Sequence, residues 1–315
     1  MLRDIPTKSA SLIGVRKMAF VRARQSKLQR RRNIEGYLFI SPWILGFLIF
    51  TLGPIIASLL MSFTNWDVVT PPSWVGAANY KNMMSDELFR KALINTVYYT
   101  AFSVPLGMIT ALSLALLLNQ KLKGTYIFRT IYYLPAVTSG VAVALLWRWI
   151  FNPEFGVANY ILLKFGLPAL GWLSDPKWAM PALIIMSIWG VGNGMLIYLA
   201  GLQGIPTELY EAAEIDGAGP RRKFWSITLP LLTPTIFFNM VMSIIGSFQV
   251  FTNAYVMTGG GPANATLFYV LYLYRNAFEW FKMGYASALA WVLFIIILIP
   301  TLLQFKFANK WVHYQ

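Results

Sequence analysis

Pro206-Thr207-Glu208-Leu209-Tyr210-Glu211-Ala212-Ala213-Glu214-Ile215-Asp216-Gly217-Ala218-Gly219-Pro220-Arg221-Arg222-Lys223-Phe224-Trp225-Ser226-Ile227-Thr228-Leu229-Pro230-Leu231-Leu232-Thr233-Pro234 is a polar island between long apolar runs. Pro206 suits the first turn of a helix, and Glu208 and Glu211 beside that turn favour the positive end of the helix dipole. Leu209, Ala212, Ala213 and Asp216 recur at i, i+3, i+4 and i+7, a narrow stripe of mostly small side chains against which another protein can pack closely. Gly217 suits the left-handed conformation that ends a helix, and Pro220 the start of a second one. The expectation is a helix, a sharp turn and another short helix that stops at Leu229 and Pro230.

Outside the island the chain is too apolar for a soluble domain. Its 315 residues are 57% hydrophobic and 12% charged, with a mean hydropathy of +0.56, whereas a soluble chain carries about 25% charged residues. Apolar stretches long enough to cross a bilayer turn that length into one all-α helical bundle rather than two soluble domains. The expected spans are about 37–63, 92–118, 130–151, 178–205, 235–257 and 283–305, behind a basic tail at 1–36, with the island at 206–234 as a loop. Pro42 and Pro54 are expected to bend the first span. The segment 152–177, with Ile161-Leu162-Leu163 and Trp172, reads as half-buried at the interface. Leu267 to Tyr274, eight apolar residues, is too short to cross and is expected to cap the outer surface.

The net charge of +14 does not point to nucleic acid, because ten of the 26 lysines and arginines lie in the first 36 positions, ahead of the first apolar run. That is an orientation signal. With six spans both termini share a side, and 18 basic residues fall there against eight opposite. The tail, the island and the C-terminus are therefore expected in the cytoplasm, although without the tail the two sides balance. The first apolar run is too long for a secretory signal peptide.

Several functions are excluded by what the chain lacks. It has no cysteine, and its sole histidine, His313, lies near the end, so neither thiol chemistry nor a His/Cys metal cluster is available. Within the expected spans only Arg148 ionises, and it lies at an end, which disfavours an ion-coupled secondary transporter. No carboxylate pair or His/Asp arrangement lies in a span where an enzyme could hold it. Gly259-Gly260-Gly261-Pro262 lacks the Lys-Ser/Thr of a phosphate-binding loop. No cofactor and no catalytic residue is expected on this chain, and a transporter energised by a partner remains. Candidate substrate residues are Trp189, Gly190 and Asn193 in the fourth span and Ser247 and Gln249 in the fifth. The glycines around Asn193 serve equally well as a helix-packing motif, and a mid-membrane glutamine needs some partner.

Glu211-Ala212-Ala213, three residues, Gly217, nine residues, then Ile227-Thr228-Leu229-Pro230 resembles the EAA loop of the permease subunits of binding-protein-dependent ABC importers. Glu208-Leu209-Tyr210, Asp216-Gly217-Ala218-Gly219 and Thr258-Gly259-Gly260-Gly261-Pro262 are similar to the carbohydrate branch. Ser41-Pro42-Trp43, Gly53-Pro54 and Lys310-Trp311-Val312 are similar to its first-type permease. The resemblance covers roughly residue 37 to the C-terminus, and it lacks the large outer domain and additional N-terminal spans of the maltose-type member. It implies a six-span type I importer permease in the inner membrane of a bacterium or archaeon, importing a sugar or another small polar solute such as glycerol-3-phosphate. It also implies a second permease as heterodimer partner, two ATPase subunits that carry ATP and Mg, and an extracytoplasmic solute-binding protein. By the same resemblance Glu211, Ala212, Ala213 and Gly217 couple to the ATPase with Asp216 in support, and the sugar lies against the helices bearing Gly190, Asn193 and Gln249.

Overall fold

The structure, a computed structural model, describes residues 27–120 and 123–313. The chain divides into two compact units, Met1–Ile56 and Ala57–Gln315. Most of the basic tail, and with it most of the charge signal, lies outside the described residues. In the first unit, helix α1 (Lys27–Phe47) begins ten residues ahead of the expected span, inside the basic stretch, where an Arg31–Glu35 pair at i, i+4 supports it. Pro42 does not break this helix. Its missing donor leaves the Leu38 carbonyl free, and Ser41 Oγ donates to it at 2.8 Å.

A single π-turn, Leu48–Leu52, precedes α2 (Gly53–Met61). The wide turn ends with Gly53 N–H donating to the Leu48 carbonyl, so Pro54 falls where no donor is needed.

In the second unit two short antiparallel strands, β1 (Thr64–Asn65) and β2 (Ser73–Trp74), follow α2. After α3 (Ala78–Met84) comes the long α4 (Glu87–Leu118). Then follow α5 (Thr125–Val137), α6 (Gly140–Ile150), α7 (Val157–Lys164), α8 (Ala179–Trp189) and α9 (Gly192–Gln203). The island holds α10 (Thr207–Ile215) and α11 (Pro220–Lys223), and α12 (Leu229–Phe248), α13 (Thr252–Met257), α14 (Tyr269–Tyr274) and α15 (Met283–Ala308) complete the chain. Among the described residues four helical runs are long and apolar enough to cross a membrane, or six if the bent pairs α5–α6 and α8–α9 each count as one.

The expected third span is not one straight helix. α5 and α6 meet at 101°, because Thr138 and Ser139 leave helical geometry for extended backbone. Neither piece, at 13 and 11 residues, reaches across about 30 Å of hydrocarbon at about 1.5 Å per residue. α6 packs against α13 instead.

The expected stop at Leu229 and Pro230 is also absent. α11 runs through a π-turn, Phe224–Thr228, straight into α12, a continuous run from Pro220 to Phe248. The reason repeats that at Pro54: Leu229 N–H reaches back to the Phe224 carbonyl, which places Pro230 in the first turn of α12. Four residues on, Pro234 leaves the Pro230 carbonyl without its backbone donor, and Thr233 Oγ1 supplies one at 2.6 Å. The fifth span then ends at Phe248, and α13 is a separate short helix.

The end of the unit that carries α7, α14 and the N-terminus of α4 is stitched by buried polar groups. Asn159, 3% exposed, accepts from Trp172 Nε1 at 2.8 Å and Leu170 N at 3.0 Å and donates to the Pro153 and Leu170 carbonyls, so the 152–177 segment is folded rather than a free loop. Asp86 caps α4 through the amides of Leu88 and Phe89 and also receives the hydroxyls of Tyr272 and Tyr285. An apolar cluster, Ala111, Ala115, Leu118, Met195, Tyr198, Leu199, Leu202, Ile205 and Leu232, joins α4, α9 and α12, and Tyr210 and Ile227 of the island pack against it.

Candidate functional site

The island forms an exposed platform. Pro206 precedes α10, and Glu208 lies in its first turn. The helix closes in a Schellman motif, with Ala218 N–H to the Ala213 carbonyl at 2.8 Å and Gly217 N–H to the Glu214 carbonyl at 3.0 Å. Gly217 has φ +74°, and nothing lies near the position a Cβ would take, so its constraint is conformational rather than steric. Tyr210 Oη meets Thr228 Oγ1 at 2.9 Å, and Lys223 pairs with Glu214. These ties hold α10 against the foot of α12.

Glu211, Ala212, Asp216 and Gly217 are exposed, whereas Ala213 is half-buried on the same side as Tyr210. The stripe expected to face outward is therefore split. Its outward part runs through Leu209, Ala212 and Asp216, next to Ile215 at 87% exposure, while Ala213 turns toward the protein. A bare isoleucine on a surface helix is an adhesive point for another protein.

Between α4, the α8–α9 pair and α12 lies a cavity of about 680 Å³. Its polar lining comes from Tyr99, Ser103, Ser187, Asn193, Tyr198, Asn239, Ser243 and Ser247, and among the described residues no Asp, Glu, Lys or Arg lines it. Hydroxyls and amides set in apolar walls suit a neutral polyhydroxylated molecule better than an ion.

The glycines of this region divide by role. A Cβ on Gly192 would meet the Tyr132 carbonyl at 2.6 Å, and one on Gly201 would meet Thr235 Oγ1 at 2.6 Å, so these let α9 lie close against α5 and α12. A Cβ on Gly190 would meet only the Ser187 carbonyl of its own turn, at 3.6 Å, and Gly190 lines the cavity. The break between Trp189 and Gly192 bends the α8–α9 pair by 43°, which brings Gly190 and Asn193 to the wall.

Of the sequence-predicted substrate residues, Gly190, Asn193 and Ser247 line this cavity and Trp189 and Gln249 do not. The Trp189 ring lies edge-on to Trp147, centroids 6.1 Å apart. Gln249 is exposed just past the end of α12, its backbone N–H donating to the Gly246 carbonyl. Sequence reasoning missed Asn239, 6% exposed, whose amide donates to the Thr235 carbonyl at 3.2 Å. A second mid-span amide in the fifth helix was a signal as strong as Gln249. Tyr99 and Ser103, one helical turn apart on α4, carried no such signal, since a serine in a long apolar run can satisfy itself on the helix backbone and a tyrosine there reads as an apolar ring. Among the described residues no three His, Asp or Glu side chains gather as a metal site.

Residues 103–313 match the family of the binding-protein-dependent transport system inner membrane component. The chain is 47% identical over 297 residues to the probable ABC transporter permease protein YesP of Bacillus subtilis (strain 168), covering 93% of this chain and 96% of that protein. It is 38% identical over 285 residues to the arabinooligosaccharides transport system permease protein AraP of the same organism, covering 89% and 90%. Among solved structures, a chain of a bacterial ABC transporter involved in the import of the acidic polysaccharide alginate superposes with a TM-score of 0.80 at 28% identity, covering 90% of this chain and 99% of that one.

Proposed function

Because the chain belongs to the family of binding-protein-dependent transport system inner membrane components, we propose that it is the permease through which an ABC importer passes a sugar or oligosaccharide across the inner membrane. It works with a second permease as heterodimer partner, two cytoplasmic ATPases that carry ATP and Mg, and an extracytoplasmic solute-binding protein. The chain itself performs no catalytic step. The observation that carries this reading is the cavity between α4, α8–α9 and α12, whose polar groups are neutral amides and hydroxyls. The absence of a lysine or arginine from that wall disfavours glycerol-3-phosphate, whose phosphate calls for charged donors.

Glu211, Ala212, Ala213, Asp216 and Gly217 transmit the ATPase motion. The cluster that takes in Tyr210 and Ile227 extends without interruption to Ala111, Met195 and Leu232, so displacement of α10 pushes on the helices that wall the cavity. The excess of basic residues on the N-terminal side supports a cytoplasmic island and cytoplasmic termini. α4 then descends from outside and α12 climbs back.

Reconstitution of the complete complex in proteoliposomes tests this reading. Wild type takes up a neutral oligosaccharide faster than an anionic one of equal length, and Asn193→Leu and Asn239→Leu each slow uptake without loss of assembly. Equal uptake by both variants and wild type would show that the amides only pack.

A further inference from the structure

Tyr198 is 1% exposed, yet it lines the cavity. Along α9 it is the last residue to do so. Leu199 and Leu202, further along toward the island, are buried in the apolar cluster that Tyr198 shares with Ala111, Met195 and Leu232. The ring is clamped by that cluster, where it fills volume as a phenylalanine would.

Packing does not explain its hydroxyl. Among the described residues no protein group hydrogen-bonds it, and it is not sealed away from all space as the orphaned Thr100 Oγ1 and Trp147 Nε1 are. The sliver of surface that Tyr198 keeps opens on the cavity it lines. Other polar groups of the wall show the contrast. Ser187 Oγ donates to the Ile184 carbonyl at 2.6 Å, Ser247 Oγ to the Ile244 carbonyl at 2.9 Å, and Asn239 Nδ2 to the Thr235 carbonyl at 3.2 Å, so each is satisfied on its own helix. A phenol, carried at the far end of its ring, cannot reach back in that way. A hydroxyl left without a partner among apolar walls is unfavourable enough that phenylalanine would serve better at a position that only packs.

We propose that Tyr198 is a specificity-determining residue of the permease, whose Oη hydrogen-bonds one hydroxyl of the sugar at the island end of the cavity. The proposal rests on the reading of the chain as a sugar permease and names one of its substrate contacts. A phenol both donates and accepts, as a sugar hydroxyl does. The clamped ring presents it in a fixed place, so the bond selects one position on the sugar rather than accepting any of them. A site built to bond a hydroxyl also rejects an analogue that lacks it more strongly than an apolar wall could.

The test uses the full complex with both permeases, both ATPases and the binding protein, reconstituted in proteoliposomes. It reads sugar taken up per ATP hydrolysed at saturating loaded binding protein. The probes are radiolabelled maltotriose and arabinotriose, and the singly deoxygenated analogues of whichever is taken up. Tyr198→Phe removes only the hydroxyl, so assembly and the thermal midpoint in detergent stay as in wild type while uptake per ATP falls about fivefold. With the analogue that lacks the matched hydroxyl the two proteins transport equally, and with the other analogues the gap returns. Equal uptake per ATP on every probe overturns the proposal and leaves the hydroxyl to an ordered water. A drop of the same size on every analogue, or a lowered thermal midpoint, also overturns it, because the phenol then acts through the fold. If wild type takes up neither sugar while its ATPases respond to the binding protein, the sugar-permease reading itself fails and the contact with it.

Discussion

The hydroxyl of Tyr210, on the exposed helix α10, lies 2.9 Å from Oγ1 of Thr228, in the π-turn from which α12 rises. It ties α10 to the foot of α12, and a hydrogen bond of this kind is worth about 1 kcal/mol. Tyr210→Phe and Thr228→Val should each lower binding-protein-stimulated ATP hydrolysis and uptake together, by roughly two- to tenfold. The double variant should be no worse than the more affected single one, which marks a shared interaction. Additive losses would show that the two residues act apart.

Gly190 and Gly192 stand two residues apart and should fail differently. Gly192→Ala drives a methyl against the Tyr132 carbonyl at 2.6 Å, and overpacking of this kind costs about 1 to 3 kcal/mol. A lower thermal midpoint in detergent is the expected result. Gly190→Ala meets only the Ser187 carbonyl, at 3.6 Å, so the midpoint should hold while the narrowed cavity slows a pentasaccharide more than a disaccharide. A reversed pattern would mean that the roles of the two glycines have been exchanged.

Asp86 makes the N-terminal cap of α4 sensitive to acid. Burial pushes its carboxyl up, but hydrogen bonds from Tyr272, Tyr285 and the amides of Phe89 and Leu88 outweigh this and hold it below the usual 3.8. A carboxylate depressed in the folded state stabilises the fold above its unfolded pKa and loses that contribution as pH falls through the folded value. The thermal midpoint of the wild-type protein should therefore fall once pH drops below about 4. Asp86→Asn should start lower at neutral pH, keep a helix cap, and show a shallower fall in the same window. Parallel curves would remove Asp86 from the account.

The loop and the long helices were readable because each leaves a local mark. The turn at Gly217 follows from its residue type, and the runs 92–118 and 283–305, which fall inside α4 and α15, from hydropathy alone. The bend after α5 was not readable, since Pro135, Thr138 and Ser139 are all tolerated inside membrane helices and hydropathy measures composition rather than direction. Pro230 misled because a proline ends a helix only where a donor is required, and the preceding π-turn removes that requirement. The cavity was half legible. Gly190 and Asn193 stood out by spacing, but Trp189 leaves the wall through its contact with Trp147, a partner 42 residues away that periodicity cannot see. Asn239 and Tyr99 reach the same space only because three separate helices converge there.

The central claim, that the island passes the ATPase stroke to the cavity, turns on Glu211. Among the described residues this side chain is exposed and has no ion-pair partner, so reversing its charge breaks no ion pair and costs the chain only a small helix-dipole term. The direct measurement records stimulated ATP hydrolysis and sugar uptake side by side in proteoliposomes carrying the complete complex with Glu211→Lys. The account predicts that both fall together to near the unstimulated level, with the ATPases held less firmly in pull-downs and the two permeases still paired. Wild-type hydrolysis and uptake in that variant would contradict it and leave the island a mere connection between two helices.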